Sequence, residues 1–465
     1  MNHFLSVFKA SIAATALLLA FSFCTPNKSG HLTIKEPWSD GMVLQQNASA
    51  LIRGKALPQG KVIVTTSWDR KMYSTTADDS GVWSVSVNTP SASYDKHRVL
   101  VKSEGELLSI KDILVGEVWI AGGQSNMEMP LAGYFNSPVE GYDELLTLPS
   151  MEDKVRMFTV GGTESFEPLM DVAKTTGWKG ACSSTLPQMS AVAFFFAQTL
   201  SESLDVPIGI ISMARGGSIV ESWLPKEILE EYGFGPLDEE SILASSEWGR
   251  PYVLYNGMQR CVAGYTAKGF IWYQGCSNVK CNTLYADKLE RMVSLGRSDW
   301  GDVEAKMPFY QVEIMPYQYG DDDPGTIIRD AQHQAARQIA NGGIVVTDDL
   351  ARPHERNQVH PSNKRPVGRR LAYLALNRDY GFSSVNCYSP EAQEAWVEGD
   401  MVCVKLSYAQ NGLDRWEGVK GLEVCGEDGV FLLILGQFVA HPIHIDLIST
   451  LYLITIRIHT FTFIE

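Results

Sequence analysis

Ser125 lies in the run Gly122-Gly123-Gln124-Ser125-Asn126-Met127, directly after the apolar stretch 113–121. Acyl transfer through a hydroxyl needs a sharply turned backbone to present it, an imidazole to take its proton, and donors for the oxyanion. The paired glycines let the chain turn steeply and lift the hydroxyl clear of the strand. Position 127 is Met, so the run is not a GxSxG elbow and an α/β-hydrolase arrangement is disfavoured. Of the nine histidines, His3 falls in the N-terminal leader, His31 and His97 in a β-rich segment, and His441, His444 and His459 in the C-terminal tail. His333, His354 and His360 remain as bases. His333 falls within a helix, whereas His354 and His360 share the loop after a strand ending at Thr347, and Pro361 fixes the backbone next to His360. Gly216-Gly217-Ser218 offers backbone N–H groups to an oxyanion, and Gln274, ending Phe270-Ile271-Trp272-Tyr273, offers a side-chain amide. Trp119, Trp223, Trp272 and Tyr273 near these turns could stack on sugar rings, although aromatic residues at strand ends more often fill cores.

The elements that position these residues follow from the hydrophobic rhythm. Residues 31–110 alternate in short runs, such as Val62-Ile63-Val64 and Val82-Trp83-Ser84-Val85-Ser86-Val87, separated by turns such as Leu57-Pro58-Gln59-Gly60. That pattern predicts a small antiparallel β-sandwich. Over 111–381 strands alternate with helices: strands at 113–121, 208–213, 268–273 and 344–347, helices at 191–204, 327–340 and 364–377. This predicts an α/β domain, a parallel sheet flanked by helices, with chemistry in the loops at the carboxyl ends of the strands. Residues 382–430 return to a β pattern. The tail 431–465 carries few charges, yet His441, Pro442, His444 and Asp446 interrupt it too often for a membrane span.

Bulk composition narrows the function. The chain has 465 residues, with 39 basic against 54 acidic side chains and a net charge of −15. An acidic chain repels phosphate backbones, so nucleic acid is not an expected partner. Residues 1–24 read as a signal peptide, with Lys9 ahead of an apolar run, and predict an exported protein, periplasmic or extracellular. Cys24 offers the alternative of a lipoprotein anchor. The cysteines beyond it are odd in number and lack metal-site spacing, so neither a full disulfide framework nor a zinc site is expected. Cys276 and Cys281 are close enough in sequence to pair.

The blocks GEVWIAGGQSNMEM (116–129), ARGGSIVESW (214–223), YNGM with GFIWYQGCSN (255–278) and VHPSNKRPVGRRLAYLAL (359–376) resemble, in order and spacing, those of the sialate O-acetylesterase family. SDGMVLQQ (39–46) resembles that family's N-terminal β-domain, and the likeness runs over about residues 32–430. The resemblance implies an SGNH-hydrolase-type catalytic domain with Ser125 as nucleophile and His360 as general base. A glycine of the Gly216-Gly217 pair, here taken as Gly217, would complete the oxyanion hole with Gln274 and the Ser125 amide. It implies no metal or organic cofactor, an O-acetylated glycan or sialic acid as substrate, and no stable protein partner. Three departures stand out: Cys276 where the family often has Glu, Asn357 where SGNH enzymes commonly place Asp three residues before the histidine, and a tail after Phe431 unlike the family's C-terminal β-domain. Asn357 is thus a candidate to orient His360 by its amide, beside a backbone carbonyl, which the two prolines of the loop 351–361 favour, and Asp348, Asp349 or Glu355 as nearby substitutes. An imidazole base predicts activity rising with pH near neutrality. The alternatives are an esterase for acetylated xylan or another glycan, and a catalytically inactive carbohydrate-binding protein.

Overall fold

The structure is a computed structural model. It describes residues 31–409 apart from 281–283, 321–323, 356 and 399–400, and beyond them the backbone of four strands. The leader with Cys24, and Cys281, lie outside the described residues; Cys276 carries a free thiol.

The N-terminal strands are β1 (Thr33–Ile34), β2 (Val43–Gln45), β3 (Ser49–Lys55), β4 (Lys61–Thr66), β5 (Met72–Thr76), β6 (Val82–Asn88) and β7 (Ser93–Ser103). β1, β3 and β6 form one antiparallel sheet. β4 pairs with β5 and β7, and β7 pairs with the long strand β8 (Glu106–Gly123). The division expected near residue 110 thus falls inside one continuous strand. The first half of β8 pairs with β7, and its second half lies between two parallel neighbours. From Ile113 onward β8 is buried throughout, as a strand covered on both faces must be.

The remaining strands of this sheet are β9 (Met151–Val160), β10 (Thr175–Ala181), β11 (Ile208–Ala214), β12 (Gly269–Tyr273), β13 (Phe309–Val312) and β14 (Gly342–Val345). Their order is β10-β9-β11-β8-β12-β13-β14, parallel except for β10 at the edge. Alternate residues of β8 feed two cores. Trp119 and Ala121 pack with the helices Ala191–Leu204 and Arg365–Asp379, whereas Val118 and Ile120 join the cluster containing Leu289, Met292, Ile328 and Ala335 of the helices Tyr285–Asp299 and Pro324–Gln338.

Past the catalytic region come β15 (Glu391–Glu398), β16 (Met401–Ser407), β17 (Val419–Cys425), β18 (Phe431–Gly436), β19 (Ile443–Asp446) and β20 (Thr455–Ile458). They pair as β15-β16-β19 and β18-β17-β20, so strands from the expected tail pair with strands before residue 430. Among the described residues no helix is long and apolar enough to cross a membrane.

Candidate active site

Three strand ends meet at one level of the sheet. Gly123 ending β8 is in register with Ala214 of β11 on one side and with Tyr273 of β12 on the other. From β8 the chain runs to β9 and β11 on one side and only later to β12, β13 and β14 on the other. The crevice beyond these ends is therefore a topological switch point, where open α/β sheets place their ligands.

The Ser125 turn is held from beneath. Gly123 has φ of 137°, and a Cβ there would collide with the Tyr273 carbonyl, so only glycine lets β8 turn so close to β12. Gln124 donates its backbone N–H to Tyr273 O at 2.9 Å, and its Oε1 accepts from Gly275 N at 2.8 Å. Ser125 then opens a single helical turn, Ser125–Glu128, whose Met127 carbonyl accepts from Ser190 Oγ at 2.6 Å. Among the described residues the Ser125 hydroxyl forms no hydrogen bond with the protein, and it lies on the wall of a cavity of about 540 Å³.

His360 lines the same cavity and is its one lining histidine. Its backbone is pinned twice: Ser137 Oγ donates to its carbonyl at 2.5 Å, and its N–H donates to Gln358 Oε1 at 3.1 Å. Tyr134 meets the imidazole edge-on with centroids 5.0 Å apart, and its hydroxyl donates to Ser125 O at 3.2 Å, so one residue touches both the Ser125 and the His360 turns. Behind them Asn126 joins the turns more firmly. Its Nδ2 donates to Val359 O at 3.0 Å, and its Oδ1 accepts from the fully buried Lys364 Nζ at 2.5 Å. Burial, and then the Lys364 charge, push the His360 imidazole down to about 4. Burial likewise pushes the Lys364 ammonium down to about 7. The expectation of a histidine titrating near neutrality is thereby revised. This one is already neutral at pH 7, the state a base requires.

Of the two residues expected as oxyanion donors, one reaches the cavity and the other does not. Gly217 lies on the cavity wall with φ of 74°, and a Cβ there would come 2.8 Å from Trp248 Cβ. Gly216 donates its N–H to Glu128 Oε2 at 2.6 Å, leaving the Gly217 and Ser125 N–H groups without acceptors among the described residues. Gln274 is not brought to the cavity. It is fully buried, and both hydrogens of its amide are spent, on Ser218 O at 3.1 Å and Asn278 Oδ1 at 2.7 Å. Asn278 passes this chain to Glu221, which pairs with Lys288 at 2.8 Å. Gln274 thus anchors a buried polar network that fixes the Gly217 loop against β12. Glu221→Ala strands the buried Lys288 ammonium and is expected to cost about 3–5 kcal/mol, read as a lowered denaturation midpoint. Loss of less than 1 kcal/mol, on the order of a surface substitution, would contradict this role.

Other expected residues fall elsewhere. Asn357 is exposed, and among the described residues no hydrogen bond joins it to His360. Asp348 pairs with Arg329, Asp349 takes Arg370 through both oxygens, and Glu355 Oε1 accepts from Ser362. None of these carboxylates bonds the imidazole. His354 is exposed, and His333 pairs with Glu313 at 3.2 Å away from the cavity. Trp119, Trp223, Trp272 and Tyr273 are core residues, at most 3% exposed. The aromatic side chain available to a sugar is instead Trp248, 51% exposed on the cavity wall. Sequence reading also passed over Tyr134, Lys364 and Arg215. Lys364 and Arg215 do stand inside the recognised blocks, where a charge next to a glycine turn or four residues after the histidine was the available signal.

The fold and the family comparisons define the chain as a carbohydrate esterase. The fold matches the crystal structure of a carbohydrate acetylesterase from Xanthomonas citri, with TM-score 0.78 and 26% identity over 90% of this chain and 92% of that one. The sialate O-acetylesterase of Pongo abelii is 29% identical over 406 residues, 80% of this chain and 76% of the relative, and that of Homo sapiens is 28% identical over the same shares. Residues 115–377 match the profile of the carbohydrate esterase, sialic acid-specific acetylesterase family, and the chain belongs to that family. It is accordingly a carboxylic ester hydrolase.

Proposed function

We propose that this chain removes O-acetyl groups from sialic acids or related glycans through an acyl-enzyme on Ser125. The carrying observation is that Ser125 and His360, expected as nucleophile and base, line one cavity with Gly217, whose N–H has no acceptor among the described residues. Ser125 Oγ attacks the acetyl carbonyl carbon as its proton passes to His360. The carbonyl oxygen becomes an oxyanion held by the Ser125 and Gly217 N–H groups. Collapse breaks the ester bond, and His360 returns the proton to the departing sugar oxygen. Water, deprotonated by His360, then attacks the acetyl-serine and releases acetate. The reading includes an SGNH-type arrangement of the catalytic domain, support from the N-terminal β-module as a sandwich, and export directed by residues 1–24.

The test is acetate release from O-acetylated sialic acids beside acetylated plant glycans, with Ser125→Ala as control. Serine-dependent release from at least one acetylated sugar is expected. Its absence from the whole panel, with a folded protein, would overturn the reading.

Orientation of His360 by pinned backbone and Tyr134 leaves Asn357 without a catalytic task. Asn357→Ala is therefore expected to change kcat by less than about threefold. A loss of tenfold or more would restore the amide as the group that holds the imidazole.

A further inference from the structure

We propose that Arg215 is the receptor for a substrate carboxylate, so that the cavity selects O-acetylated sialic acids over neutral acetylated sugars. The inference rests on the esterase reading of Ser125 and His360.

Arg215 leaves the end of β11 directly before the Gly216-Gly217 turn, and its side chain lines the cavity. It is held in place on two sides. Its guanidinium carbon lies 5.2 Å from the centroid of the Trp248 ring, a cation–π placement. A Cβ added at Gly162 would approach Arg215 Cδ to 3.1 Å and Nη1 to 3.4 Å, so the stem runs over that glycine. The head group is left unspent. Arg250 pairs with Glu164, Arg260 with Asp299, Arg329 with Asp348 and Arg370 with Asp349. Among the described residues Arg215 makes no ion pair and donates no side-chain hydrogen bond.

Arg53 is also buried without a carboxylate partner, but it spends its guanidinium on the Ala263 carbonyl at 3.0 Å, whereas the half-buried Arg215 head group has no such acceptor among the described residues. Glu128 is the acidic group near it. It lines the same cavity and the Arg215 charge pulls its pKa down, but burial outweighs this and raises it, its Oε2 is taken by the Gly216 N–H at 2.6 Å, and among the described residues no ion pair joins it to Arg215. No other cationic side chain lines the cavity. The planar fork of a guanidinium matches a carboxylate with two parallel charge-assisted bonds, whereas a sugar hydroxyl accepts singly and without charge. Arg215 also follows Gly123 closely, since its backbone N–H donates to Gly123 O at 3.0 Å. A carboxylate bound there sits on the same molecule that presents its acetyl group to Ser125, and the exposed Trp248 supplies an apolar face for the sugar between them.

The experiment compares kcat/KM for an O-acetylated N-acetylneuraminic acid with that for its methyl ester, which keeps the sugar and removes the charge. Wild type is expected to favour the acid by about ten- to a hundredfold, the range for a hydrogen bond to a charged group. Arg215→Gln is expected to bring the ratio near one, and Arg215→Lys to keep part of it. Equal rates for acid and methyl ester in the wild type would overturn the proposal even if the variants fail to fold. So would a ratio untouched by Arg215→Gln. Serine-dependent hydrolysis of p-nitrophenyl acetate with no turnover of either sialic acid substrate would reject the carboxylate receptor while leaving the esterase reading intact.

Discussion

Ser125→Ala is expected to lower kcat for ester hydrolysis by about four to six orders of magnitude, the scale seen when a serine nucleophile that acts with its base is removed. Cys276, Ser277 and Tyr134 also line the cavity, and each is poorly placed to attack in its stead. Burial raises the Cys276 thiol above its ordinary pKa, so it stays protonated and weakly nucleophilic at neutral pH. Ser277 Oγ accepts from Gln124 Nε2 at 3.2 Å, and no base of its own is bonded to it among the described residues. Burial holds the Tyr134 phenol well above its ordinary value and so keeps it neutral. What remains after the substitution is water in a cavity that still binds the ester. The fold should be untouched, because the Ser125 hydroxyl makes no hydrogen bond to the protein among the described residues. A change within about 0.5 kcal/mol in stability is expected, as for a substitution that breaks no internal contact. Circular dichroism and thermal melts check the fold, and steady-state hydrolysis checks the chemistry. A folded variant keeping more than about a hundredth of wild-type kcat would remove Ser125 from the mechanism.

What the sequence revealed and what it hid follow different physics. The strand-to-glycine turns at Gly122-Gly123, Gly216-Gly217 and Gly275 were legible because parallel strands buried on both faces read as unbroken apolar runs. The helix Ala191–Leu204 was read to the residue, with nine of its side chains buried. β10 was missed because it is the edge strand, five of its seven positions being exposed or half-exposed in no regular alternation. β13 was missed because it is four residues long, and the helix Tyr285–Asp299 because charged residues interrupt its apolar stripe. Within the site, type and order pointed to Ser125, His360 and Gly217, and these line one cavity. Gln274 was misread because a side-chain amide at a strand end looks the same in sequence whether it faces a cavity or a buried network. Only the positions of Ser218 and Asn278 decide which. The role of Asn126 was equally hidden, since its partners Val359 and Lys364 lie more than 230 residues away.

His360→Ala is expected to lose about as much activity as Ser125→Ala, since the two act as one unit, while His354→Ala, outside the cavity, keeps most of it. The sharper result concerns pH. Only the neutral imidazole accepts the serine proton, so the rate falls as pH drops through the histidine pKa. Burial first, and then the Lys364 charge, set that pKa at about 4. Activity should therefore hold from neutrality down to about pH 5 and fall near pH 4, below the range of an ordinary histidine at about 6.5. The same depression has a stability consequence. The unfolded chain takes up the proton at higher pH than the folded one, so stability present above about 6.5 is lost as pH falls toward 4. The charged and titratable groups around the imidazole and its lysine are Lys364, Tyr134, Cys276 and Glu355. Lys364 is the one whose charge lowers His360, so Lys364→Met should move the acid limb toward neutrality. Methionine fills the buried site without a charge but leaves Asn126 Oδ1 without its donor, a loss of about 1–3 kcal/mol in stability. Profiles of kcat/KM against pH for wild type and Lys364→Met, with circular dichroism at each pH, decide the matter. A wild-type limb near 6.5, or a Lys364→Met limb displaced further to acid, would show that burial and the lysine do not control the base.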